Sequence, residues 1–460
     1  MDFGIARARS GEVDALCAIE RAALQGFRGH HAWPYYAAMA MPPAVLQHAV
    51  ARGLVWAAHD DAGAAIGFVW LETEVAPDCI AIAEIDVLPA HGRRGVGAAL
   101  LEHACAWARA AGYRRMQLAT LADVAWNAPF YARHGFEPVA KDDPGFAVDR
   151  ERDRDNGFPD DLRIFMRRSL PPLRPGEWSA WPAPAKLNLF LRVLGRRADG
   201  YHDLQTVFRL LDWGDEIRIR IIPGGAVTRT CPVPGVALAD DLTLRAAQLL
   251  QAHAGSTLGA EIAVEKRIPL GGGLGGGSSD AATVLVALNQ LWGLHLPEDV
   301  LLGLARQLGA DVAVFVAGRS AWAEGVGERL TPVALPRRHY VVLDPGTQVS
   351  TAQLFQAPEL TRNGPATTIS SFVSGEIPEN AFTPLVRDRY PQVAAALDWL
   401  GQSGPARLSG TGGCVFLETR SFARAYAVAR RCPSRFVAQA ASGVALSALQ
   451  QALARHRAPA

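Results

Sequence analysis

Hydrophobic positions in this 460-residue chain switch between the two-residue period of a strand and the longer period of a helix. Leu187, Leu189 and Leu191 occupy alternate positions, which predicts a β-strand. Lys186 and Asn188 then share the opposite face of that strand. Two polar side chains that can take part in binding or catalysis are therefore expected side by side.

A glycine-rich run at residues 269–280 precedes a clear helical pattern. Six glycines among seven residues exclude a helix or strand interior, because glycine loses the most backbone freedom there. Val284 and Leu291 belong to the helical pattern that follows, and Ser278 or Ser279 is expected to cap that helix. A glycine loop that enters a helix N-terminus is typical of a phosphate site. A flexible linker is the alternative, which the flanking apolar elements disfavour.

A second glycine turn lies nearer the N-terminus. The apolar phase of residues 80–87 changes at Glu84, and a slip of one residue predicts a β-bulge. A loop with Arg93 and Arg94 then leads into a helical pattern that Gly112 is expected to end. Backbone N–H groups at a helix start, beside two arginines, favour a pyrophosphate ligand.

The length of the chain indicates more than one domain. Charge alternates in sign along residues 149–155, which we interpret as a solvated surface loop, and a short strand is expected at 164–166. The proline-rich stretch 171–176 can be neither a helix nor a central strand, so the linker is expected there. The predicted division is residues 1–172 for the first domain, 173–177 for the linker, and 178–460 for the second domain, with lobes at about 178–328 and about 329–460.

Net charge, apolar run length and cysteine spacing disfavour several classes of function. The net charge is +1, which gives no support for a nucleic-acid partner. No apolar run approaches the roughly 18 residues that a membrane helix needs. The six cysteines are scattered without a CxxC pair, so neither a zinc site nor a disulfide framework is indicated. We expect a cytoplasmic protein without a protein-held metal and without membrane contact.

The second domain resembles the GHMP kinases. The resemblance rests on Ala-Lys-Leu-Asn-Leu at 185–189, Asp-Gly-Tyr-His at 199–202, the glycine run at 269–279, Leu-Gly-Ala-Asp at 308–311 and Ser-Gly-Thr-Gly-Gly at 409–413. These blocks are most similar to the branch that phosphorylates 4-diphosphocytidyl-2-C-methyl-D-erythritol. They imply a two-lobed α+β fold, ATP with Mg²⁺, and this cytidine-diphosphate-linked methylerythritol as substrate. A GHMP kinase for another small alcohol is the alternative.

This resemblance implies a role for each matched residue. Asp311 would be the general base, and Lys186 would stabilise the negative charge that develops on the substrate hydroxyl. The implied substrate-binding residues are Asn188, Tyr201, His202, Thr351 and Phe355. Tyr201 and Phe355 would stack on the cytosine ring and His202 would bond its edge, with ordinary core packing as the alternative for Phe355. The implied ATP-binding residues are Pro269, Leu270, Gly271, Gly272, Gly273, Leu274, Gly275, Gly276, Gly277, Ser278, Ser279, Gly410, Thr411 and Gly412.

The first domain resembles the GNAT acetyltransferases, through the strand, loop and helix at 80–101 and a later block at 127–136. The resemblance implies an α/β fold with a mixed sheet flanked by helices, acetyl-coenzyme A as cofactor, and an amine acceptor of unknown identity. Tyr131 would protonate the leaving thiolate. Glu84 would be the base for the amine, or would only fill the bulge, and both interpretations stay open.

The same resemblance implies a set of cofactor-binding residues: Val87, Arg93, Arg94, Gly95, Val96, Gly97, Ala98 and Asn127. Gly92 stands where the family often has Gln or Arg, which removes one side-chain contact. A coenzyme-A-binding or assembly module without catalysis is the alternative. The expected partners of the whole chain are small molecules, with a homodimer left open.

Overall fold

The computed structural model describes residues 3–38, 41–159, 161–233 and 235–457. Contacts within the chain divide it into two compact units, Met1–Arg174 with Ala454–Ala460, and Pro175–Leu453. Among the described residues, no helix is long and apolar enough to cross a bilayer. Each unit has a hydrophobic core of its own.

The first unit alternates strands and helices around one sheet. Its elements in chain order are β1 (Phe3–Arg7), α1 (Val13–Leu24), α2 (Trp33–Ala38), α3 (Pro43–Ala51), β2 (Val55–Asp60), β3 (Ala65–Ala76), β4 (Cys79–Val87), α4 (Val96–Ala110), β5 (Arg115–Leu121), α5 (Asn127–Arg133), β6 (Glu137–Pro138), α6 (Ala147–Asp155) and β7 (Arg163–Ser169).

The seven strands form a mixed sheet in the order β1-β2-β3-β4-β5-β7-β6. The β4–β5 pair is parallel, and its ladder covers only Cys79–Ala81 against Arg115–Gln117. Both strands continue beyond that ladder, so they separate where β4 approaches its C-terminal end. The mixed sheet with flanking helices agrees with the predicted fold class.

The predicted bulge in β4 is confirmed. Trp70 of β3 pairs with Glu84 and the next residue, Leu71, pairs with Ile82, so Ala83 is the additional residue in β4. A bulge bends its strand and interrupts the ladder. It therefore accounts for the separation of β4 from β5 and for the change of apolar phase in the sequence.

Residues 149–155 form most of helix α6, so the interpretation of this segment as a surface loop is wrong. Strict alternation of charge places opposite charges three residues apart, and such pairs stabilise a helix. Asp153 of α6 is also buried, and its Oδ1 accepts a hydrogen bond from Arg163 Nη1 at 2.8 Å. Tertiary contact thus anchors a helix that the polar sequence alone did not indicate.

The second unit contains two sheets and most of the remaining helices. Its strands are β8 (Ser179–Arg196), β9 (His202–Ile222), β10 (Val227–Arg229), β11 (Gly259–Glu265), β12 (Ala321–Gly325), β13 (Arg329–Pro332), β14 (His339–Asp344), β15 (Ala406–Leu408), β16 (Val415–Thr419) and β17 (Val437–Ser442). The helices are α7 (Leu242–Ala254), α8 (Gly276–Leu291), α9 (Glu298–Leu308), α10 (Val312–Ala317), α11 (Thr351–Gln356), α12 (Ile369–Val373), α13 (Thr383–Arg389), α14 (Pro391–Gly401) and α15 (Phe422–Ala429). The last helix, α16 (Ala448–Arg457), begins in the second unit, and its residues from Ala454 onward belong to the first.

Strands β8 to β13 make a six-stranded sheet, in which the long strand β9 pairs with β8, β11 and β12. Strands β14 to β17 make a separate antiparallel sheet in the order β15-β16-β14-β17. Buried side chains of α7 to α10 form one core with the first sheet, while α13, α14 and α15 contribute to another core with the second. This is the two-lobed α+β arrangement that the sequence predicted.

The turn between β8 and β9 confirms the hairpin expected at Asp199-Gly200. Gly200 has φ +88°, a left-handed conformation that glycine adopts without strain. Arg197 N donates to Tyr201 O at 2.8 Å, and Tyr201 N donates to Asp199 Oδ1 at 3.1 Å. The hairpin therefore presents Tyr201 and His202 at the start of β9.

Candidate active sites

The glycine-rich loop of the second unit connects β11 to the N-terminus of α8. Gly271, Gly273 and Gly275 have φ between +70° and +73°, a left-handed conformation that glycine adopts without strain. Gly275 occupies the N-cap position of α8, and the prediction of a Ser278 or Ser279 cap is wrong. The left-handed glycine starts the helix early, which places both serines in its first turn.

The turn at residues 409–413 packs directly on this loop. Cys414 N donates to Gly272 O at 3.0 Å, and Ser409 Oγ donates to Gly273 O at 2.9 Å. A Cβ atom on Gly412 would lie 2.0 Å from Gly273 N, so only glycine permits this approach. The two glycine motifs, far apart in sequence, thus form one structure.

A buried asparagine that the sequence analysis missed holds the 409–413 turn. Asn380 Nδ2 donates to Leu408 O at 3.0 Å and to Gly410 O at 2.7 Å. Its Oδ1 accepts from Phe382 N at 2.9 Å. No motif marks Asn380 in the sequence, because its role depends on the fold bringing residues 408–410 against it.

Lys186 lies at the centre of the site. Its Nζ is 2.5 Å from Asn188 Oδ1, 3.0 Å from Gly273 O and 3.1 Å from Asp311 Oδ2. An ammonium group has three donors, so these three acceptors satisfy it. The side chain of Lys186 is only 3% exposed, so the fully paired charge is buried.

Asn188 is oriented by a further chain of hydrogen bonds. Its Nδ2 donates to Thr206 Oγ1 at 2.9 Å, and the Thr206 hydroxyl donates to Phe190 O. The amide oxygen of Asn188 must therefore face Lys186. Thr206, on β9, is a second residue that the sequence analysis missed.

These side chains open into one cavity of about 450 Å³. Sequence-predicted residues among its lining are Lys186, Asn188, Pro269, Leu270, Gly271, Gly272, Gly273, Leu274, Gly275, Gly276, Gly277, Ser278, Asp311, Thr351, Phe355, Gly410 and Thr411. Thr351 and Thr411 also contact each other, with their hydroxyl oxygens 2.7 Å apart. Tyr201, His202, Ser279 and Gly412 do not line the cavity.

The rings of His202 and Phe355 stack on one another, with centroids 5.0 Å apart and planes 29° apart. Arg362 Nε donates to His202 Nε2 at 3.3 Å. Burial, followed by the charges of Arg362 and Arg196, lowers the pKa of His202 and favours its neutral form. Tyr201 stands apart from this pair, with 65% of its surface exposed.

A lysine beside the glycine loop links two buried carboxylates. Lys266 Nζ donates to Asp215 Oδ2 at 2.5 Å and to Asp280 Oδ2 at 2.9 Å. Burial and the nearby Asp215 raise the pKa of Asp280 to about 8, against the opposing effect of Lys266. Lys266 also lines the cavity, and its bond to Asp280 ties the first turns of α8 to that wall of the cavity.

In the first unit, the loop between β4 and α4 is exposed and lies at a helix N-terminus. Arg93 has φ +60° and Gly95 has φ +84°, so two residues of this loop adopt the left-handed conformation directly before the helix. A Cβ on Gly97 would be 3.7 Å from the Val87 side chain, so this position has room. The geometry suits an anionic ligand, as the sequence predicted for this loop.

Acidic side chains dominate the end of β4. Burial, followed by the charge of Glu20 on α1, raises the pKa of Glu84 to about 7. Burial, Glu84 and Glu20 raise the pKa of Asp86 well above its usual range. Tyr131 of α5 also has a raised pKa, mainly through burial and then through Glu84 and Asp86. The structure therefore brings Glu84 and Tyr131 into one electrostatic environment, with Glu20 and Asp86 as unforeseen neighbours.

One further group of the first unit has metal-ligating side chains. His30 Nε2 and His31 Nε2 lie 3.2 Å and 3.4 Å from the two oxygens of Asp123. These atoms are close enough to hold an ion, which the sequence analysis did not anticipate. The two imidazole rings also stack on one another, with centroids 4.4 Å apart.

Comparison with known proteins gives the family of the second unit. Over 277 residues the chain is 56% identical to the 4-diphosphocytidyl-2-C-methyl-D-erythritol kinase of Xanthomonas campestris pv. campestris (strain B100), covering 60% of this chain and 94% of the relative. The chain belongs to this kinase family. A kinase of the same name from Halorhodospira halophila (strain DSM 244 / SL1) is 57% identical over 270 residues, covering 57% of this chain and 93% of the relative.

Two further comparisons agree. A crystal structure of 4-(cytidine 5'-diphospho)-2C-methyl-D-erythritol kinase superposes with a TM-score of 0.51 at 36% identity, covering 58% of this chain and 99% of that chain. Residues 241–319 match the GHMP kinases N terminal domain and residues 368–438 match the GHMP kinases C terminal family. Residues 15–136 match the acetyltransferase (GNAT) family, so a GNAT domain precedes the kinase.

The contact between the two glycine motifs predicts how a substitution at Gly412 changes the free energy of unfolding. We expect Gly412→Ala to destabilise the second unit by about 1–3 kcal/mol, because the new methyl group collides with the backbone at Gly273. Gly303→Ala is the matched control, since Gly303 lies within α9 with open space around its Cα and should stabilise slightly. Urea unfolding of both variants measures the difference, and equal stability would contradict the packing.

Proposed function

We propose that the second unit transfers the γ-phosphoryl group of ATP to the free hydroxyl of 4-diphosphocytidyl-2-C-methyl-D-erythritol. Membership of the kinase family supports the reaction class and the substrate. The observation that carries the assignment of roles is the 3.1 Å contact between Lys186 Nζ and Asp311 Oδ2 in the cavity formed with the glycine loop.

In this proposal the substrate hydroxyl binds beside Asp311 and Lys186. Asp311 accepts the hydroxyl proton while the hydroxyl oxygen forms its bond to the γ-phosphorus, and the bond from that phosphorus to the bridging oxygen of ADP breaks. Lys186 stabilises the negative charge on the reacting oxygens. Asn188 and Gly273 O hold the ammonium in place, so the charge needs no rearrangement during the reaction.

The ATP phosphates would bind on the backbone N–H groups of the glycine loop and the first turn of α8. Mg²⁺ would arrive bound to those phosphates and supply charge neutralisation. Ser279 Oγ is buried in the first turn of α8 and has no hydrogen-bond partner among the described residues, and a hydroxyl oxygen is a ligand that Mg²⁺ accepts. Ser279 is therefore the side chain of this turn that would contact the ion, whereas no protein-held metal was expected from the sequence.

The cytidine end of the substrate would lie toward Phe355, which lines the same cavity as Asp311. His202 stacks on one face of Phe355, so the two rings form a preordered aromatic surface. Tyr201 is exposed on the adjacent hairpin and can cover a bound base from outside. This arrangement differs in detail from a base held between Tyr201 and Phe355 alone, because His202 occupies one of the stacking faces.

The kinase proposal predicts a large effect of Asp311→Asn. Loss of the proton acceptor should lower kcat by about 10² to 10⁴, with the Kd of ATP little changed. Asp388→Asn, an exposed carboxylate on α13, is the matched control and should retain full kcat. Steady-state phosphorylation of the cytidine substrate measures both. Turnover of Asp311→Asn near that of the control would remove Asp311 from the base role.

The cytidine assignment predicts a separation of two affinities. Tyr201→Ala should weaken binding of the cytidine substrate by about 1–3 kcal/mol, because a stacking ring is lost, while ATP affinity stays level. Tyr201 is exposed, so folding should be unaffected. Calorimetric titrations with each ligand measure the change. A variant that loses ATP affinity and keeps cytidine affinity would place the base elsewhere.

We further propose that the first unit transfers an acetyl group from acetyl-coenzyme A to an amine. The match to the GNAT family and the loop geometry at Arg93–Gly95 support this. The pyrophosphate would bind at the start of α4, and the extended part of the cofactor would lie where β4 leaves β5. Glu84 would take the proton of the amine and Tyr131 would protonate the departing thiolate.

The raised pKa of Glu84 predicts a pH profile for acetyl transfer. The base must be deprotonated, so kcat/KM should fall as the pH drops below about 7. Glu84→Gln should lower the rate and remove this break, whereas Glu151→Gln, an exposed residue of α6, should keep it. Thiol release from acetyl-coenzyme A between pH 5.5 and 8.5 measures the profile. An unchanged break in Glu84→Gln would assign the titration to another group.

A further inference from the structure

Three carboxylates from two elements of the first unit form an acidic cluster, which we define as Glu20, Glu84 and Asp86. Glu84 and Asp86 are two residues apart in β4 beyond the bulge, so they share one face of the strand. Helix α1, which carries Glu20, packs against β3 and β4. The charge of Glu20 raises the pKa of Glu84, and the charges of Glu84 and Glu20 raise the pKa of Asp86, in agreement with this packing.

Two members of the acidic cluster have oxygens without a hydrogen-bond partner among the described residues. Glu20 is only 4% exposed, and its Oε1 accepts from Met41 N at 3.1 Å, while Oε2 is buried and unpaired. Asp86 Oδ2 is likewise buried and unpaired. A buried acceptor without a donor lowers the stability of the fold, and such unpaired acceptors are rare in folded proteins. The unpaired oxygens therefore indicate a ligand that donates hydrogen bonds.

The surrounding groups do not neutralise the acidic cluster. Arg163 is the cation that lowers the pKa of Glu84, but its Nη1 is bound to Asp153 at 2.8 Å and its Nη2 to Ala119 O at 3.2 Å. Arg21, which is exposed, lowers the pKa of Glu20. Tyr36 and Tyr131 are neutral at physiological pH because burial raises the pKa of both. With little positive charge beside them, the three carboxyl groups have raised pKa values, and a cationic ligand would stabilise their charged forms.

We propose that the acceptor of the first unit is a small amine with two positive charges. One ammonium group of the ligand binds between Glu20 and Asp86, and the second nitrogen is delivered to Glu84. A ligand of this kind supplies both the missing hydrogen-bond donors and the missing charge. An acceptor with a carboxylate near its amine would instead meet like charges at the same place.

The chemical step then balances within the proposed acetyl transfer, on which this inference rests. Glu84 removes a proton from the second nitrogen, whose lone pair forms a bond to the acetyl carbonyl carbon. The carbon–sulfur bond breaks, and the thiolate of coenzyme A takes the Tyr131 proton. The nitrogen loses its second excess proton to the Tyr131 oxygen, which restores the phenol. The products are a monoacetylated amine, still held through its other ammonium group, and coenzyme A. Glu20 is a binding residue here, since it takes no part in proton transfer.

Three acceptors of matched length test the charge preference: 1,4-diaminobutane, 1-aminobutane and 4-aminobutanoate. Thiol release is measured with the full chain and saturating acetyl-coenzyme A. We expect kcat/KM for the diamine to exceed that for the monoamine by about tenfold or more, with the carboxylate analogue lowest. Equal values for the diamine and the monoamine, or a preference for the carboxylate analogue, would overturn the proposal.

Glu20→Gln tests the residue that selects the second charge. The amide oxygen can still accept from Met41 N, so the fold is preserved while the charge is removed. We expect KM for the diamine to rise about tenfold with kcat and coenzyme A affinity retained, and KM for the monoamine to stay unchanged. Glu151→Gln is the matched control. An equal loss for both amines would show a structural role for Glu20 and overturn its assignment.

Direct binding separates this inference from the acetyltransferase proposal. 1,4-diaminobutane is titrated by calorimetry into the full chain saturated with coenzyme A, with and without Glu20→Gln. Binding that depends on Glu20 without any acetyl transfer would support the cation site and contradict the acetyltransferase function. Acetyl transfer without a preference for the diamine would support the acetyltransferase function and contradict the cation site. If the diamine is neither bound nor acetylated, the cation site is overturned.

Discussion

The ammonium group of Lys186 joins three parts of the kinase unit that are far apart in sequence. Its acceptors are a side chain of the same strand, a carbonyl of the glycine loop and the carboxylate of Asp311 at the start of α10. A buried ammonium must have all its donors satisfied, so none of these elements can move without leaving a charge unpaired. The proposed proton acceptor, charge stabiliser and phosphate loop are consequently kept in register by one interaction.

Both units contain the same local arrangement at the start of a helix. In each, a left-handed glycine ends a loop and caps a helix, Gly275 before α8 and Gly95 before α4. The exposed N–H groups and the helix dipole then favour an anion without any basic side chain being required. The units differ in what surrounds the anion site. A paired lysine and aspartate lie beside the loop in the kinase, whereas acidic side chains with unpaired oxygens lie near the loop in the GNAT domain.

The features that the sequence did not predict share a physical cause. The alternating charges of α6 looked like a loop because a solvated helix and a solvated loop have similar composition, and burial of Asp153 decides between them. Ser278 and Ser279 are good caps by residue type, but the left-handed Gly275 precedes them and starts the helix. Asn380 and Glu20 carry no motif, since their importance comes from the groups that the fold places against them.

The sequence by itself determined the bulge in β4 and the hairpin at Asp199-Gly200, because these depend on local periodicity and glycine placement. The fold class of both units and most of the residues that line the kinase cavity followed from the resemblance of short motifs to known families. Only the tertiary structure decided that the 409–413 turn closes on Gly273, that Lys186 bonds three acceptors at once, and that Glu20 approaches β4. Each of these is a contact between distant segments. The energies involved, close packing and the pairing of buried charge, exist only once the chain has brought those segments together.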